Sequence, residues 1–309
     1  MQEILEKHQI RKTNAQKTAF IDYITERLKK NGYDVTLDEN KGMGVFKTRN
    51  IVVGNPEDAD VIIGAHYDTP PVSFMPNLMA PTNVPVFILS QIYMFIMICG
   101  LGWVLSIPFS FLPISGEAYV YCIEGCLFAV LLWLMFGYQN KHCANDNTSG
   151  TITLVKILES LPVEKRNKVC VVFFDNEEKG LWGSMEFTKR HKNTKNKFMI
   201  NIDCIGDGTR IVSVAPKKVM KTEQHEKFTQ ILLDKSEKYG LIYIKEKMKP
   251  MMFGSDQMNF DNGMAMCALN KHKLGFLYCA KIHTNKDRIC KEENLNCVAE
   301  SIVEFINQN

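Results

Sequence analysis

Two adjacent glutamates, Glu177 and Glu178, follow a run of six apolar residues, Val169 to Phe174, with only Asp175 and Asn176 between. The run is short, β-branched and aromatic, the pattern of a strand buried on both faces. In α/β folds the carboxyl ends of such strands form the edge at which ligands bind. Two neighbouring carboxylates at that edge can divide the work: one holds a metal ion and the other handles a proton. The same residues also fit a solvated acidic turn before a helix, where negative charge is favourable.

Other segments end in the same way. Asp60 to Ala65 reads DVIIGA and runs into His66-Tyr67-Asp68, and Lys197 to Asp203 reads KFMINID and ends in an acid. Leu274 to Ile282 reads as a final strand that ends at His283, and Asp146 lies in the polar loop HCANDNTSG. Each of His66, Asp146, Glu178, Asp203 and His283 taken singly is compatible with a structural role. As a set they are imidazole and carboxylate ligands brought to one edge of a sheet, suited to zinc and equally to cobalt or manganese. Asp68 stands two residues after His66, on the same side of an extended chain. It is expected to accept the imidazole N–H and select the nitrogen that faces a metal.

The elements that must position these residues alternate. Residues 2 to 31 read as one helix ended by Gly32, followed by strand-like pieces at 33–37, 44–47 and 51–53. Helices are expected over 151–161, near 223–239 and over 293–306, with strands at 211–214 and 241–244. Met252 to Phe260 reads as a loop entering a helix. The pattern predicts a three-layer α/β/α fold with a mixed, largely parallel central sheet.

The middle of the chain is different. From Thr69 to Gly116 there is no Asp, Glu, Lys, Arg or His, and up to Asn140 the only charges are Glu117 and Glu124. As helices, Val84 to Ile107 would span roughly 36 Å and Tyr119 to Tyr138 roughly 30 Å, lengths that match a bilayer core. This predicts a two-helix transmembrane hairpin at 81–138, inserted in one discontinuous domain formed by 1–80 and 139–309. A hydrophobic lid or dimer interface is the other reading; Gln91 and Glu124 favour it, since polar groups within a span are costly. The short turn between the helices has no Lys or Arg, whereas Lys141 follows the second one. The positive-inside rule then puts the domain in the cytoplasm of a multi-pass cell-membrane protein.

Composition agrees with a folded chain: 309 residues, 46% hydrophobic, 23% charged, net charge +3, with no nucleic-acid footprint. Ten cysteines show no CxxC spacing and fit reduced, mostly buried thiols. The first residues are charged and do not read as a signal peptide.

Five pieces, GAHYD (64–68), ANDNTSG (144–150), NEEKGLWGS (176–184), NIDCIG (201–206) and IHTNKD (282–287), come in an order that resembles the aminopeptidase-Y-type family of di-zinc metallopeptidases. The resemblance implies two Zn²⁺ ions and a peptide substrate. It implies His66 and Asp203 on one zinc, Glu178 and His283 on the other, and Asp146 bridging them. It further implies Glu177 as general base, Asp68 as the acid supporting His66, and a cis peptide at Asp146-Asn147. Where this family often has histidine after Ser-Asp, the present chain has Gln257, which bears on the substrate pocket. The expected function is a membrane-anchored zinc aminopeptidase. The alternatives are a glutaminyl-cyclase-like transferase and a non-catalytic membrane scaffold.

Overall fold

The computed structural model describes residues 2–75, 77–248 and 252–309. Its strands are β1 (Val35–Glu39), β2 (Arg49–Val53), β3 (Val61–His66), β4 (Val169–Phe174), β5 (Phe198–Ile202), β6 (Arg210–Ala215), β7 (Ile242–Lys247), β8 (Asn262–Lys271) and β9 (Leu277–Tyr278). They form one sheet in the order β1-β2-β4-β3-β5-β8-β6-β7, with β9 paired to β8. The central strands β4, β3, β5 and β8 are parallel, and β2 and β6 join them antiparallel. The mixed, largely parallel α/β sheet is therefore present.

The helices are α1 (Gln2–Lys7), α2 (Asn14–Lys30), α3 (Val84–Ser106), α4 (Gly116–Phe136), α5 (Gly150–Ser160), α6 (Trp182–Arg190), α7 (Glu223–Lys238) and α8 (Glu292–Asn307). The main core lies on one face of the sheet, where Phe20 and Ile24 of α2, Leu154 of α5, Phe228 of α7 and Phe305 of α8 pack against alternate strand residues such as Val171 and Phe173. Cys170, Val172 and Phe174 of the same strand point to the other face and pack with Phe187 of α6 and Phe260. Burial on both faces is why β4 reads as an unbroken apolar run.

Several expectations are corrected. The N-terminal helix is two helices, because Thr13 and Gln16 form a capping box that starts α2 afresh. Residues 44–46 make a 3₁₀ turn and not a strand. Met252 to Phe260 leads through the short turn Asp256–Asn259 into strand β8, not into a helix. The apolar run MAMCAL has no polar face to reveal its period, and pairing between β5 and β6 makes it a strand. The final strand is confined to Leu277–Tyr278, so His283 lies in a turn beyond it.

The parallel order positions the site. His66 at the end of β3 is in register with Phe174 at the end of β4, and β5 on the other side of β3 ends at Ile202, one residue before Asp203. Lys17, buried on α2, is the brace behind this edge: its ammonium donates to Asp175 and to Asn176 Oδ1, the latter at 2.6 Å. Lys17→Met should cost about 3–5 kcal/mol in urea unfolding, since it strands a buried carboxylate, and pairing it with Asp175→Asn should recover part of that loss. An unchanged unfolding midpoint for the single variant would exclude the brace.

α3 and α4 stand out from the domain as an antiparallel pair. Each is long and apolar enough to cross a membrane, and only 6% of the most apolar window of each is buried. Asn83 and Ser115 cap their N-termini. Gly102 lets them approach closely, because a Cβ there would collide with Leu127.

Candidate metal centre

The structure gathers His66, Asp146, Glu178, Asp203 and His283, residues from both ends of the chain, at the carboxyl edge of β3, β4 and β5. His66 Nε2 lies 3.4 Å from Asp146 Oδ1 and 3.5 Å from Asp203 Oδ1. His283 Nε2 lies 3.1 Å from Asp146 Oδ2 and 3.5 Å from Glu178 Oε2. The two carboxylate oxygens of Asp146 thus face different histidines. Glu177 is adjacent: His66, Glu177 and Glu178 offer ligand-type atoms within 4.8 Å of one another.

Local sequence explains how Asp146 is held. The asparagines on either side latch onto the segment that leaves β5. Asn145 Oδ1 accepts from the N–H groups of Gly206 (2.6 Å) and Asp207 (3.0 Å), and Asn147 Nδ2 donates to Ile202 O at 2.9 Å. Any side chain at Gly150 would strike Asn147 Oδ1 and Ile202 O. The Asp146-Asn147 peptide is cis. Asn176, Leu181, Cys204 and His283 all adopt positive φ without being glycine. Each adjoins or belongs to the site, where such conformations concentrate.

Asp68 is placed differently from the expectation. His66 Nδ1 pairs with the backbone carbonyl of Asp68 at 3.1 Å, while the Asp68 carboxylate stands 3.6 Å away. That carboxylate instead accepts the backbone N–H of Glu177 at 2.9 Å and of Glu178 at 3.3 Å. The turn after β4 has no strand partner for those donors, so Asp68 supplies one. The outcome for His66 is unchanged, with Nε2 facing the acids.

Two residues that sequence reasoning missed complete the support. The Asp287 carboxylate accepts the backbone N–H of Asn145 at 2.8 Å and of Asp146 at 2.9 Å. It lies in the IHTNKD piece, and its spacing from His283 was the available signal. Arg11 is fully buried. It donates to Tyr67 O and, through both terminal nitrogens, to Thr148 Oγ1 at 3.1 Å, stapling the His66 loop to the Asp146 loop. Nothing in the sequence around Arg11 signals this role. Asp287→Ala leaves two buried donors unpaired and should weaken zinc binding about 10- to 100-fold in competition with a chromophoric chelator. Unchanged affinity would show that Asp146 is oriented without it.

The electrostatics are those of a site short of positive charge. Burial pushes the Glu177 carboxyl well above its ordinary range, Glu178 up to about 8 and Asp256 to about 7. Burial also works against ionisation of Asp146, but the His283 and His66 imidazoles hold it well below the usual carboxylate value. At His283 burial opposes protonation, yet the Glu178 and Asp146 carboxylates raise it to about 9.

Zinc fits this donor set. Ligand bonds near 2.0–2.1 Å at tetrahedral angles place two ligand atoms about 3.3–3.4 Å apart, close to the separations found here. Asp203 Oδ1 is buried and makes no hydrogen bond, as an oxygen reserved for a cation would be. The cluster lines a cleft of about 410 Å³ walled by Met79, Leu181, Phe253 and Ile282. Gln257 does not line it; it is buried below, accepting from Asn201 Nδ2 and donating to Phe253 O.

The same architecture occurs in solved structures. A glutaminyl cyclase from Porphyromonas gingivalis superposes with a TM-score of 0.61 at 15% identity, over 99% of this chain and 94% of that one. A Zn-dependent exopeptidase from Parabacteroides distasonis gives 0.58 at 16%, over 100% and 95%. A leucine aminopeptidase precursor from Bacteroides thetaiotaomicron gives 0.58 at 15%, over 98% and 92%. No curated protein sequence matches the chain. The profile of peptidase family M28 matches residues 134–306, which include Asp146, Glu177, Glu178, Asp203 and His283. With that profile over more than half its length and a zinc-exopeptidase-like fold beneath it, the chain belongs to peptidase family M28.

Proposed function

We propose that the protein is a membrane-anchored zinc aminopeptidase. The observation that carries this reading is the position of Asp146, with one oxygen toward His66 and Asp203 and the other toward His283 and Glu178, beside Glu177. His66 and Asp203 would hold one zinc, Glu178 and His283 the other, and Asp146 both. When bound, two zinc ions supply Lewis acidity toward a carbonyl and favour ionisation of water near neutral pH.

The chain's own residues do the rest. Glu177 Oε takes a proton from the attacking water and returns it to the nitrogen of the leaving amine, a task suited to a carboxyl whose burial raises its proton affinity. Asp68 fixes the backbone of Glu177 and Glu178. The apolar walls of the cleft exclude water and receive the side chain of the residue to be removed.

α3 and α4 are read as a transmembrane hairpin inserted at 81–138 in the discontinuous domain 1–80 and 139–309. Apart from the exposed Gln91 and Glu124, their outward surface is largely apolar, which supports a lipid surround over a buried interface. The charge of the flanking segments, with Lys141 after α4, supports a cytoplasmic domain, and the ten unpaired cysteines suit that compartment.

Metal analysis of the purified protein, run beside a panel of aminoacyl substrates that includes a peptide with N-terminal glutamine, tests the assignment. The expected result is two zincs per chain and release of free amino acids. One zinc with a cyclised, ammonia-depleted product would instead establish the glutaminyl cyclase reading, which the fold likeness to such enzymes keeps in view. Metal binding with neither product would leave a scaffold.

A further inference from the structure

The feet of the hairpin and the walls of the cleft are one hydrogen-bonded unit. Between β3 and α3 the chain crosses the site, and Ser73 N–H donates to the carbonyl of His283 at 2.7 Å. Met79 and Cys279 exchange two backbone hydrogen bonds at 2.8 Å, and Met79 lines the cleft. At the other foot, Val72 N–H donates to Tyr138 O at 2.8 Å, and Pro71 bridges to Gln139. Met135, in the last turn of α4, borders a small recess together with Glu178, Asp68, Lys12 and Lys179. The last turn of α4 thus meets the acidic edge of the site.

The rim is also apolar where a soluble enzyme has no use for it. Phe46 is 50% exposed and packs edge-on against Trp182 at 4.9 Å, next to Leu181 of the cleft wall. In the segment that leads into α3, Phe74 is 51% exposed, and the exposed Leu78 sits between the lining residues Asn77 and Met79. Lys12 and Lys179 in the recess and Lys141 beyond α4 add positive charge near the C-terminal end of α4. Exposed aromatic and aliphatic side chains beside lysines are the composition of a surface that sits at the headgroup–acyl boundary, with the lysines drawn to anionic lipid.

We infer that the cleft rim formed by Phe46, Trp182, Phe74 and Leu78 is immersed in the headgroup layer of the bilayer, and that the cleft therefore takes the free amino ends of peptides that are themselves held at the membrane. The inference rests on the membrane reading of α3 and α4, and its occupant is lipid because Phe74 and Leu78 lie in the segment that leads into α3 and Met135 of α4 borders the recess beside Glu178 and Lys179. Peptides anchored by an acyl chain or a hydrophobic segment reach the site by lateral diffusion, whereas soluble peptides must approach past the headgroups.

Trp182 is the reporter. The chain has three tryptophans, and Trp103 and Trp133 lie in α3 and α4. The Trp103→Phe/Trp133→Phe protein is reconstituted in phosphatidylcholine–phosphatidylglycerol vesicles. Its emission should fall by about half with lipids brominated high on the acyl chain, the depth of an interfacial side chain. Emission that ignores brominated lipid but is quenched by aqueous iodide overturns the inference. In the wild type, quenching of the hairpin tryptophans tests the anchor separately: hairpin quenching without Trp182 quenching sinks only the rim, and failure to float with vesicles sinks both. In a second arm, Phe46→Ser/Phe74→Ser/Leu78→Ser should leave kcat/KM on a soluble aminoacyl anilide within about twofold while lowering it about tenfold on a palmitoylated peptide with the same amino end. Equal change on the two substrates overturns the substrate assignment. Absence of turnover on both in the wild type fails the peptidase reading, and the Trp182 result still decides the rim.

Discussion

Glu177→Gln should lower kcat by about 10³-fold, within the range expected for a lost general base, and leave both zincs in place. Glutamine keeps the shape and the backbone N–H that Asp68 accepts, so the turn after β4 should stay as it is. What it loses is an oxygen able to take a proton. Glu177 is assigned to neither zinc in the proposed site, so metal content should not move. KM should change little, because the interaction removed acts in the transition state. Stopped turnover with about two zincs per chain supports the base role. Loss of zinc along with activity would make Glu177 a ligand, and unchanged turnover would remove it from the mechanism.

Removing the metal should abolish activity and lower stability together. At zinc concentrations about 100-fold above Kd, each zinc contributes about 2.7 kcal/mol, and two contribute about 5.4 kcal/mol. For a chain of this size, chelation should therefore lower Tm by roughly 5–10 °C. Added zinc should restore both, and cobalt or manganese should restore activity in part, since the ligands are imidazole and carboxylate. The variants sharpen the test. Asp146→Ala removes the one carboxylate that faces both histidines and should leave close to no bound zinc. His66→Ala and His283→Ala each touch one set only and should retain about one. If Asp146→Ala still bound one zinc tightly, its two oxygens would not be shared, and the site would be a single-metal centre like that of the cyclase reading. A chelated protein with full activity would refute metal dependence outright.

These expectations depend on residues of unequal legibility. Glu177 and Glu178 were visible because an apolar run six residues long stops at them, and a strand edge carrying two acids has few uses. His66 and Asp203 were visible for the same reason. Asp146 has no such local signature. Asp146 is in a polar loop, so little but the motif resemblance singled it out, and His283 was read at the end of a strand longer than the two-residue one that forms. The hairpin was legible from the absence of charge, a property of composition that needs no partner.

Sequence by itself determined the elements whose pattern is set locally: the buried strands β3, β4 and β5, the apolar helices and the acids at the strand ends. Tertiary structure alone decided the partners. It gave the Asp68 carboxylate to the backbone of Glu177 and Glu178, and Arg11 to Tyr67 and Thr148. It gave Asp287 to the backbone amides of Asn145 and Asp146, and it made the run Met264 to Leu269 a strand between β5 and β6. The reason is that side-chain and backbone periodicity follow from steric preferences within a few residues, whereas a hydrogen-bond partner is chosen by whichever unpaired group the fold brings within reach. For Asp68, Asp287 and the bond from Arg11 to Thr148, that group lies more than a hundred residues away along the chain.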